Sequence, residues 1–141
     1  EGASWYAEWG QNINETVQLA FQKAYSLGQA ALYLPGDLPF IKPKDVYGLI
    51  GASGRLKNVT LASARKGGGT NAILALPGLS NPFVPMLGTN SFNQHMLQAT
   101  SLGISVSIYY SPGIGFDLDT LDDLKAYEYM EPGLLNKLTE A

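Results

Sequence analysis

A chain of 141 residues, 45% of them hydrophobic and 15% charged, is long enough to bury a core and has the composition of one globular domain. Its 12 acidic and 9 basic residues are spread along the sequence for a formal charge of −3, so no basic stripe offers a nucleic-acid surface. The lack of cysteine excludes disulfides and is typical of a cytoplasmic protein, and no apolar run approaches the roughly 20 residues of a membrane helix.

The predicted elements alternate between helices and strands. Apolar residues at three- and four-residue steps indicate helices, and short, almost wholly apolar runs indicate buried strands. In chain order these are a helix at 17–27, a strand at 30–34, a helix at 43–52, strands at 59–62 and 72–76, a helix at 91–102, a strand at 104–110, a helix ending near 130 and a short helix after Pro132. The alternation predicts one α/β domain over residues 1–141, a three-layer sandwich with a mainly parallel sheet.

Local signals predict where the helices begin. Asn12 or Asn14 would cap the first helix, and Pro43 would open the second. Thr120 and Asp123 have the spacing of a capping box for the last main helix.

A single carboxylate closes the first predicted strand. Asp37 follows Leu34-Pro35-Gly36 and precedes Leu38-Pro39, so it lies in a stiff turn. Ligands of open α/β sheets gather outside the carboxyl ends of strands, where Asp37 could hold a divalent cation. A turn or N-cap aspartate explains the residue as well.

Four aspartates crowd the junction before the last main helix. Asp122 and Asp123 lie in its first turn, where the helix dipole favours acidic side chains. Asp117 and Asp119 would point to the same side of an extended segment and could complete a cation site with Asp37. Two carboxylates from separate loops around Mg²⁺ are typical of sites that bind nucleoside triphosphates. Acid–base catalysis is less favoured, because the chain has one histidine and no cysteine.

Two further clusters could bind an anion. Gly67, Gly68 and Gly69 precede Thr70 and Asn71 at the start of an apolar strand, which would expose N–H groups at the rim of the sheet. The run is not a Walker loop, since its lysine precedes the glycines. A flexible surface loop is the alternative.

Gly88-Thr89-Asn90-Ser91 opens the third main helix, whose N-terminus offers unpaired N–H donors to a phosphate or carboxylate. Capping by Asn90 or Ser91 explains these residues equally well. His95, one turn further on, is expected to be a buried, hydrogen-bonded histidine, with a phosphate contact as the alternative.

Together these clusters resemble the guanylyltransferases of coenzyme F-420 biosynthesis, the family typified by 2-phospho-L-lactate guanylyltransferase, which includes phosphoenolpyruvate guanylyltransferases. The Gly-Gly-Thr-Asn and Gly-x-x-Ser-Phe-x-x-His patterns in this order are the specific part, since the aspartate elements recur in related nucleotidyltransferases. The matching elements are 34–39, with Gly36 where the family has alanine; 68–73; Gly88, Ser91, Phe92 and His95; 117–124; and Ile13-Asn14.

The resemblance implies a Rossmann-like nucleotidyltransferase fold of the nucleotide-diphospho-sugar transferase type. It also implies transfer of GMP from GTP to the phosphate of a small phosphorylated acid, with release of pyrophosphate. Residue by residue, it assigns Asp37 and Asp119, with Asp117 close by, to catalysis and Mg²⁺, Asn14 to the nucleotide, and Thr70, Asn71, Gly88 and Ser91 to the acid.

The chain departs from this pattern at its start. Family members begin with a strand and a glycine-rich, basic loop that holds the triphosphate, and nothing before Trp5 matches them. Arg55, Lys57, Arg65 and Lys66 are poor replacements for that loop. We therefore expect the metal and acid halves of the site here and leave catalysis by this chain alone open.

Two alternatives to this function are kept. One is another nucleotidyltransferase of the same fold that acts on a sugar phosphate or a molybdopterin, and the other is a non-catalytic ligand-binding domain. Within the family, the sequence does not choose among 2-phospho-L-lactate, phosphoenolpyruvate and 3-phosphoglycerate, which differ by a hydroxyl, a double bond or a shifted phosphate. It leaves the oligomeric state open as well, a homo-oligomer included.

Overall fold

The structure, a computed structural model, describes residues 5–7, 10–54, 58–78, 82–133 and 136. The elements in these ranges are α1 (Ile13–Ser26), β1 (Ala31–Tyr33), α2 (Pro43–Ala52), β2 (Asn58–Ser63), β3 (Thr70–Ala75), α3 (Ser91–Leu102), β4 (Ser105–Ile108), α4 (Pro112–Gly115) and α5 (Leu121–Met130). The main predicted helices and strands are confirmed, and α4 is additional. Arg55, Lys57 and most of the helix predicted after Pro132 lie outside the described residues.

The four described strands form one mixed sheet in the order β1-β3-β2-β4. β3 pairs antiparallel with both β1 and β2, and only β2 and β4 are parallel. The expectation of a mainly parallel sheet is therefore not confirmed among these strands. The physical reason is the connection at residues 64–69, because a parallel pair needs a crossover of roughly a dozen residues or more.

The reversal of β3 has a consequence for the polar residues. Because β1, β2 and β4 share one direction, their carboxyl ends lie at the same edge of the sheet as the beginning of β3. Thr70 is the first residue of β3 and Asp37 follows the end of β1. The two residues therefore lie at the same edge, although their strands run in opposite directions. We call this edge the polar edge.

Helices cover both faces of the sheet, which confirms the three-layer arrangement in the described residues. Val17 and Phe21 of α1 and Ala99 of α3 pack on one face. Leu49 of α2 and Ile114 of α4 pack on the other. β3 is buried along its whole length, as expected for a strand covered on both faces.

The predicted helix starts are confirmed at three helices. The Asn12 side chain, rather than that of Asn14, caps α1 by accepting from the Glu15 N–H at 3.0 Å. Pro43 lies in the first turn of α2. At α5, Thr120 and Asp123 form the capping box. None of the helices in the described part of the chain has the length and hydropathy that crossing a membrane requires.

The packing of β2 gives a first prediction. Leu61, in the middle of that strand, is 0% exposed, whereas Leu97 on α3 is 71% exposed. Leu61→Ala should lower the free energy of unfolding by about 2–5 kcal/mol, because it leaves a cavity in a close-packed core. Leu97→Ala should change it by less than about 0.5 kcal/mol. Urea denaturation followed by circular dichroism measures both, and equal losses would contradict the position of Leu61.

Candidate functional site

A polar cleft of about 270 Å³ opens at the polar edge. Four segments of the chain meet there, and they include the predicted clusters at 67–71, 88–91 and 117–119. Its walls are formed by Tyr33, Ala64, Lys66, Gly67, Gly69, Thr70, Asn71, Leu87, Gly88, Ser91, Asp117 and Asp119. The cleft thus contains six predicted site residues, and the other two, Asp37 and Asn14, adjoin it through hydrogen bonds to cleft segments.

The loop between β2 and β3 is a defined turn. Gly67 and Gly68 have φ of +72° and +66°, values that glycine adopts without strain. The Gly68 carbonyl accepts a hydrogen bond from the Phe92 N–H at 3.1 Å, which ties the loop to the first turn of α3. The loop is therefore a defined turn that holds Thr70 next to Ser91, and its role in binding an anion stays a prediction.

The start of α3 is not explained by side-chain capping. Asn90 makes no capping hydrogen bond, and its Oδ1 accepts instead from the Asn93 side chain at 2.7 Å. Ser91 is buried, and its hydroxyl contacts Thr70 Oγ1 at 3.2 Å. Gly88 has φ of +132°, a backbone region open essentially only to glycine. The Ser91 and Phe92 N–H groups are paired with the Gly88 and Gly68 carbonyls, so this helix end brings its partial positive charge and the Ser91 hydroxyl to the cleft.

His95 forms the buried support of this wall. It is 0% exposed, its Nδ1 lies 2.9 Å from Thr70 Oγ1, and its Nε2 accepts from the Met86 N–H at 2.8 Å. Burial lowers the pKa of His95 to about 4, so the ring is neutral at physiological pH. The prediction of a buried, hydrogen-bonded histidine is confirmed.

The opposite wall is acidic. Asp117 and Asp119 line the cleft, and the Leu118 N–H between them donates to the Asp37 carbonyl oxygen at 3.1 Å. Partial burial, followed by the charges of Asp117, Asp37 and Asp123, raises the pKa of Asp119. Such like charges disfavour one another, and a bound cation would relieve that repulsion. Across the described ranges, no three acidic or histidine side chains converge as a preformed metal site.

A buried tyrosine holds the acidic segment in place. The Tyr127 hydroxyl donates to the Asp117 carbonyl oxygen at 2.5 Å, and the Tyr127 ring packs edge-on against Phe40 with centroids 4.7 Å apart. Burial, and then the negative charge of Asp117, raises the pKa of Tyr127 to about 12, so the phenol keeps its proton as a donor. Sequence reasoning missed this residue, whose signal is an aromatic side chain on the buried face of α5, about two turns after the cap at Thr120.

Two basic side chains at the cleft are paired with Asp123. Lys66 Nζ lies 2.9 Å from Asp123 Oδ1, and an Arg65 guanidinium nitrogen lies 3.7 Å from the same oxygen. Hydrogen bonds from Lys66 and Thr120 are the largest causes that lower the pKa of Asp123 to about 2. Arg65 also lies over the Phe116 ring at 4.3 Å. Of these basic residues, Lys66 lines the cleft, where it adds a positive charge next to the acidic wall.

Two predicted ligand residues use their side-chain amides within the protein. Asn71 Nδ2 donates to the Ile114 carbonyl at 2.9 Å, which attaches α4 to β3. Asn14 Nδ2 donates to the Leu87 carbonyl at 2.9 Å, and the Leu87 N–H donates back to Asn14 Oδ1 at 2.5 Å. These contacts show both asparagines as supports of the cleft walls, and their ligand roles stay predictions.

Tyr33 is a further cleft residue that sequence reasoning missed. It ends β1, and burial together with the charge of Asp37 raises the pKa of its hydroxyl. Its signal in the sequence is an aromatic residue at a strand end, four positions before the acidic turn.

Comparison with known proteins places this chain in a family. The family model described as "Guanylyl transferase CofC like" matches residues 2–131. The chain therefore belongs to the CofC-like guanylyl transferase family.

Individual relatives agree with this assignment. Phosphoenolpyruvate guanylyltransferase of Rubrobacter xylanophilus is 33% identical over 128 residues, which are 90% of this chain and 62% of that protein. The protein of the same name from Chloroflexus aggregans is 31% identical over 128 residues, 89% of this chain and 61% of the relative. 2-Phospho-L-lactate guanylyltransferase of Methanothermobacter thermautotrophicus is 30% identical over 114 residues, 81% and 49%. The chain thus spans about three fifths or less of the length of these relatives.

Burial of His95 predicts a pH dependence of stability. Because its folded-state pKa of about 4 lies below the ordinary value of 6.5, protonation favours the unfolded chain. The contribution of the neutral ring is complete above pH 6.5 and is lost as the pH falls towards 4. Urea denaturation between these two pH values should show that loss, and His95→Gln should show a smaller one. An equal pH dependence in both proteins would contradict the assignment.

Proposed function

We propose that this chain supplies the acceptor and metal parts of a guanylyltransferase site that transfers GMP from GTP to a small phosphorylated acid. The observation that carries the proposal is the cleft itself, in which the hydroxyl-bearing residues Thr70 and Ser91 and the backbone of Gly88 line one wall and Asp117 and Asp119 line the other. Family membership and the names of the relatives support the reaction. The proposal includes a role in F-420 biosynthesis, a cytoplasmic location and the Rossmann-like nucleotidyltransferase fold.

The donor wall would bind the acid. The N-terminus of α3 carries a partial positive charge, which stabilises a phosphate or carboxylate bound near it. Thr70 and Ser91 add hydroxyl groups beside this helix end, and Gly88 leaves open space where a side chain would otherwise stand. A doubly charged phosphate is thus held by oriented dipoles, without a buried cation that would need its own desolvation.

The acidic wall would face the metal and the triphosphate. Asp37 and Asp119, with Asp117 close by, would hold Mg²⁺, and the oxygen donors fit because this ion is usually bound by one or two carboxylates together with water and substrate phosphates. When bound, the metal neutralises charge on the phosphate oxygens. Asn14 would adjoin the nucleotide through the loop at Leu87, which it fixes.

The reaction then depends on position and charge. An oxygen of the acid's phosphate attacks the α-phosphorus of GTP, a new phosphorus–oxygen bond forms, and the bond to the β-phosphate oxygen breaks as pyrophosphate leaves. No side chain needs to become a nucleophile. The donor wall contributes by holding the attacking phosphate in one orientation, with its spare oxygen directed towards the acidic wall.

The acid is proposed to be a three-carbon phosphorylated acid. The relatives are named for phosphoenolpyruvate and for 2-phospho-L-lactate. These two acids carry the phosphate on the carbon next to the carboxylate, and 3-phosphoglycerate carries it one carbon farther away. A cleft of about 270 Å³ has room for any one of the three.

A release assay tests the reaction and the acidic wall together. Pyrophosphate is measured from GTP and Mg²⁺ with each of the three acids, with and without EDTA. Asp119→Asn and Asp37→Ala should lower the rate by about 100-fold or more, because a metal ligand supports several kcal/mol of charge stabilisation. Asp122→Asn is the matched control, since its side chain is 83% exposed and pairs with Lys125 on the outer side of α5.

The outcomes separate the candidates. Pyrophosphate release with one of the acids, retained in the Asp122→Asn control, would establish the guanylyltransferase activity and identify its substrate. Release with a sugar phosphate or a molybdopterin instead would favour another nucleotidyltransferase. Acid binding without release, measured by calorimetry on the folded chain, would show that the acceptor half is present and that catalysis needs more than this chain.

The proposed function also gives a prediction for the donor wall, which contains Thr70, Gly88 and Ser91. Ser91→Ala should raise the KM for the acid by about 10-fold, because a hydrogen bond to a charged group contributes roughly 1.5–3 kcal/mol, and leave the KM for GTP nearly unchanged. Ser101→Ala is its control, since that hydroxyl donates to the Gln98 carbonyl on the exposed side of the same helix. A larger effect on GTP than on the acid would reverse the assignment of the two walls.

A further inference from the structure

We infer that His95 is a positioning residue that makes the Thr70–Ser91 hydroxyl pair present a hydrogen-bond donor, rather than a lone pair, to the cleft. The inference rests on the proposed function, because a donor at this position matters for an anionic ligand such as a phosphorylated acid. It concerns one atom, the hydroxyl hydrogen that is left over when the buried bonds of this network are made.

The first step is the state of the imidazole ring. The Met86 N–H points at His95 Nε2 at 2.8 Å, and a backbone N–H can only donate. Nε2 must therefore carry a lone pair, so that a neutral ring has its hydrogen on Nδ1. The backbone of residue 86 thus selects the tautomer.

The second step follows at the other nitrogen. His95 Nδ1 lies 2.9 Å from Thr70 Oγ1, and in this tautomer it donates to that oxygen. The Thr70 hydroxyl cannot give its own hydrogen to the ring. In the opposite tautomer Thr70 would donate to Nδ1, and the hydrogen would be lost to the protein interior.

The third step is a count of hydroxyl hydrogens. Thr70 and Ser91 bring two, and the 3.2 Å contact between their oxygens uses one of them. The other stays free whichever hydroxyl donates across the pair. Both residues line the cleft, which gives this hydrogen an acceptor when a phosphate or carboxylate is bound there.

The segment around Met86 does not depend on His95 for its position. The Gln98 side chain accepts from the Val84 N–H at 2.8 Å and donates to the Val84 carbonyl at 3.0 Å. Gln18 Nε2 donates to the Pro85 carbonyl at 2.8 Å. When His95 is replaced, the loop is therefore still held by Gln98 of α3 and Gln18 of α1. The effect of His95 on the cleft can then be measured separately from the position of the loop.

The tautomer is measured directly by NMR. The chain contains one histidine, so ¹⁵N-histidine labelling and a long-range ¹H–¹⁵N spectrum report on His95 without assignment. We expect a protonated Nδ1 and an unprotonated Nε2 at neutral pH. A protonated Nε2 would overturn the inference whether or not the chain binds an acid.

A double-mutant cycle tests the action through Thr70. The Kd of phosphoenolpyruvate, 2-phospho-L-lactate and 3-phosphoglycerate is measured by calorimetry for the wild type, His95→Gln, Thr70→Val and the double variant. Gln can accept from the Met86 N–H but has no donor at the Nδ1 position. For the acid that binds, each single change should weaken binding by about 10-fold, and the double variant should be no weaker than Thr70→Val.

Two further readouts complete the test. A loss of about 100-fold in the double variant, the product of the two single losses, would contradict the inference. A purely structural histidine would have the same effect with or without the Thr70 hydroxyl. His95→Asn places an amide donor near the Nδ1 position and should recover part of the affinity that His95→Gln loses. If the wild type binds none of the three acids, the proposed function fails for this chain, while the NMR tautomer still decides the role of His95.

Discussion

The short connection between β2 and β3 is the constraint on which the candidate site depends. Residues 64–69 are too few for a crossover, so β3 must turn back along β2. The turn brings Thr70 to the sheet edge where β1, β2 and β4 end, and the positive φ values of Gly67 and Gly68 allow it. Because the Gly68 carbonyl also binds the Phe92 N–H, the loop that reverses the chain docks the start of α3 beside Thr70. One local constraint thus sets the geometry of the whole donor wall.

The cleft has two walls of opposite electrostatic character. One offers neutral donors and a helix end, and the other offers carboxylates, where burial first and then the neighbouring negative charges raise the pKa of Asp119. A phosphate group bound to the first wall and a cation bound to the second would each be stabilised, and each would neutralise part of the other's field. The pairing of Lys66 with Asp123 keeps a positive charge at the cleft and keeps Asp123 ionised. This is the charge distribution expected where two phosphorylated molecules must approach each other.

Buried and half-buried polar side chains give these walls their rigidity. Asn14, Asn71 and His95 each bind backbone groups of a distant segment, and Tyr127 does the same for Asp117. A buried polar group costs free energy unless it is paired, so each of these bonds favours one arrangement of the loops over its alternatives. The site is therefore preorganised by residues behind it, and the residues that face the ligand need little reordering when it binds.

Local signals in the sequence predicted much of the fold. The sequence by itself determined the helices and their starts at Pro43 and Thr120, because capping and periodicity act over a few residues, and it limited the first cap to Asn12 or Asn14. Its motifs identified the segments that meet at the cleft. It did not determine the direction of β3, since a mainly parallel sheet was expected and is not confirmed among the described strands, or the use of the Asn14 and Asn71 amides. Only the tertiary structure decided these features and the hydrogen-bond state of His95. The physical reason is distance along the chain: Asn14 meets Leu87 and His95 meets Thr70 only after the sheet has brought together segments that local preferences do not connect.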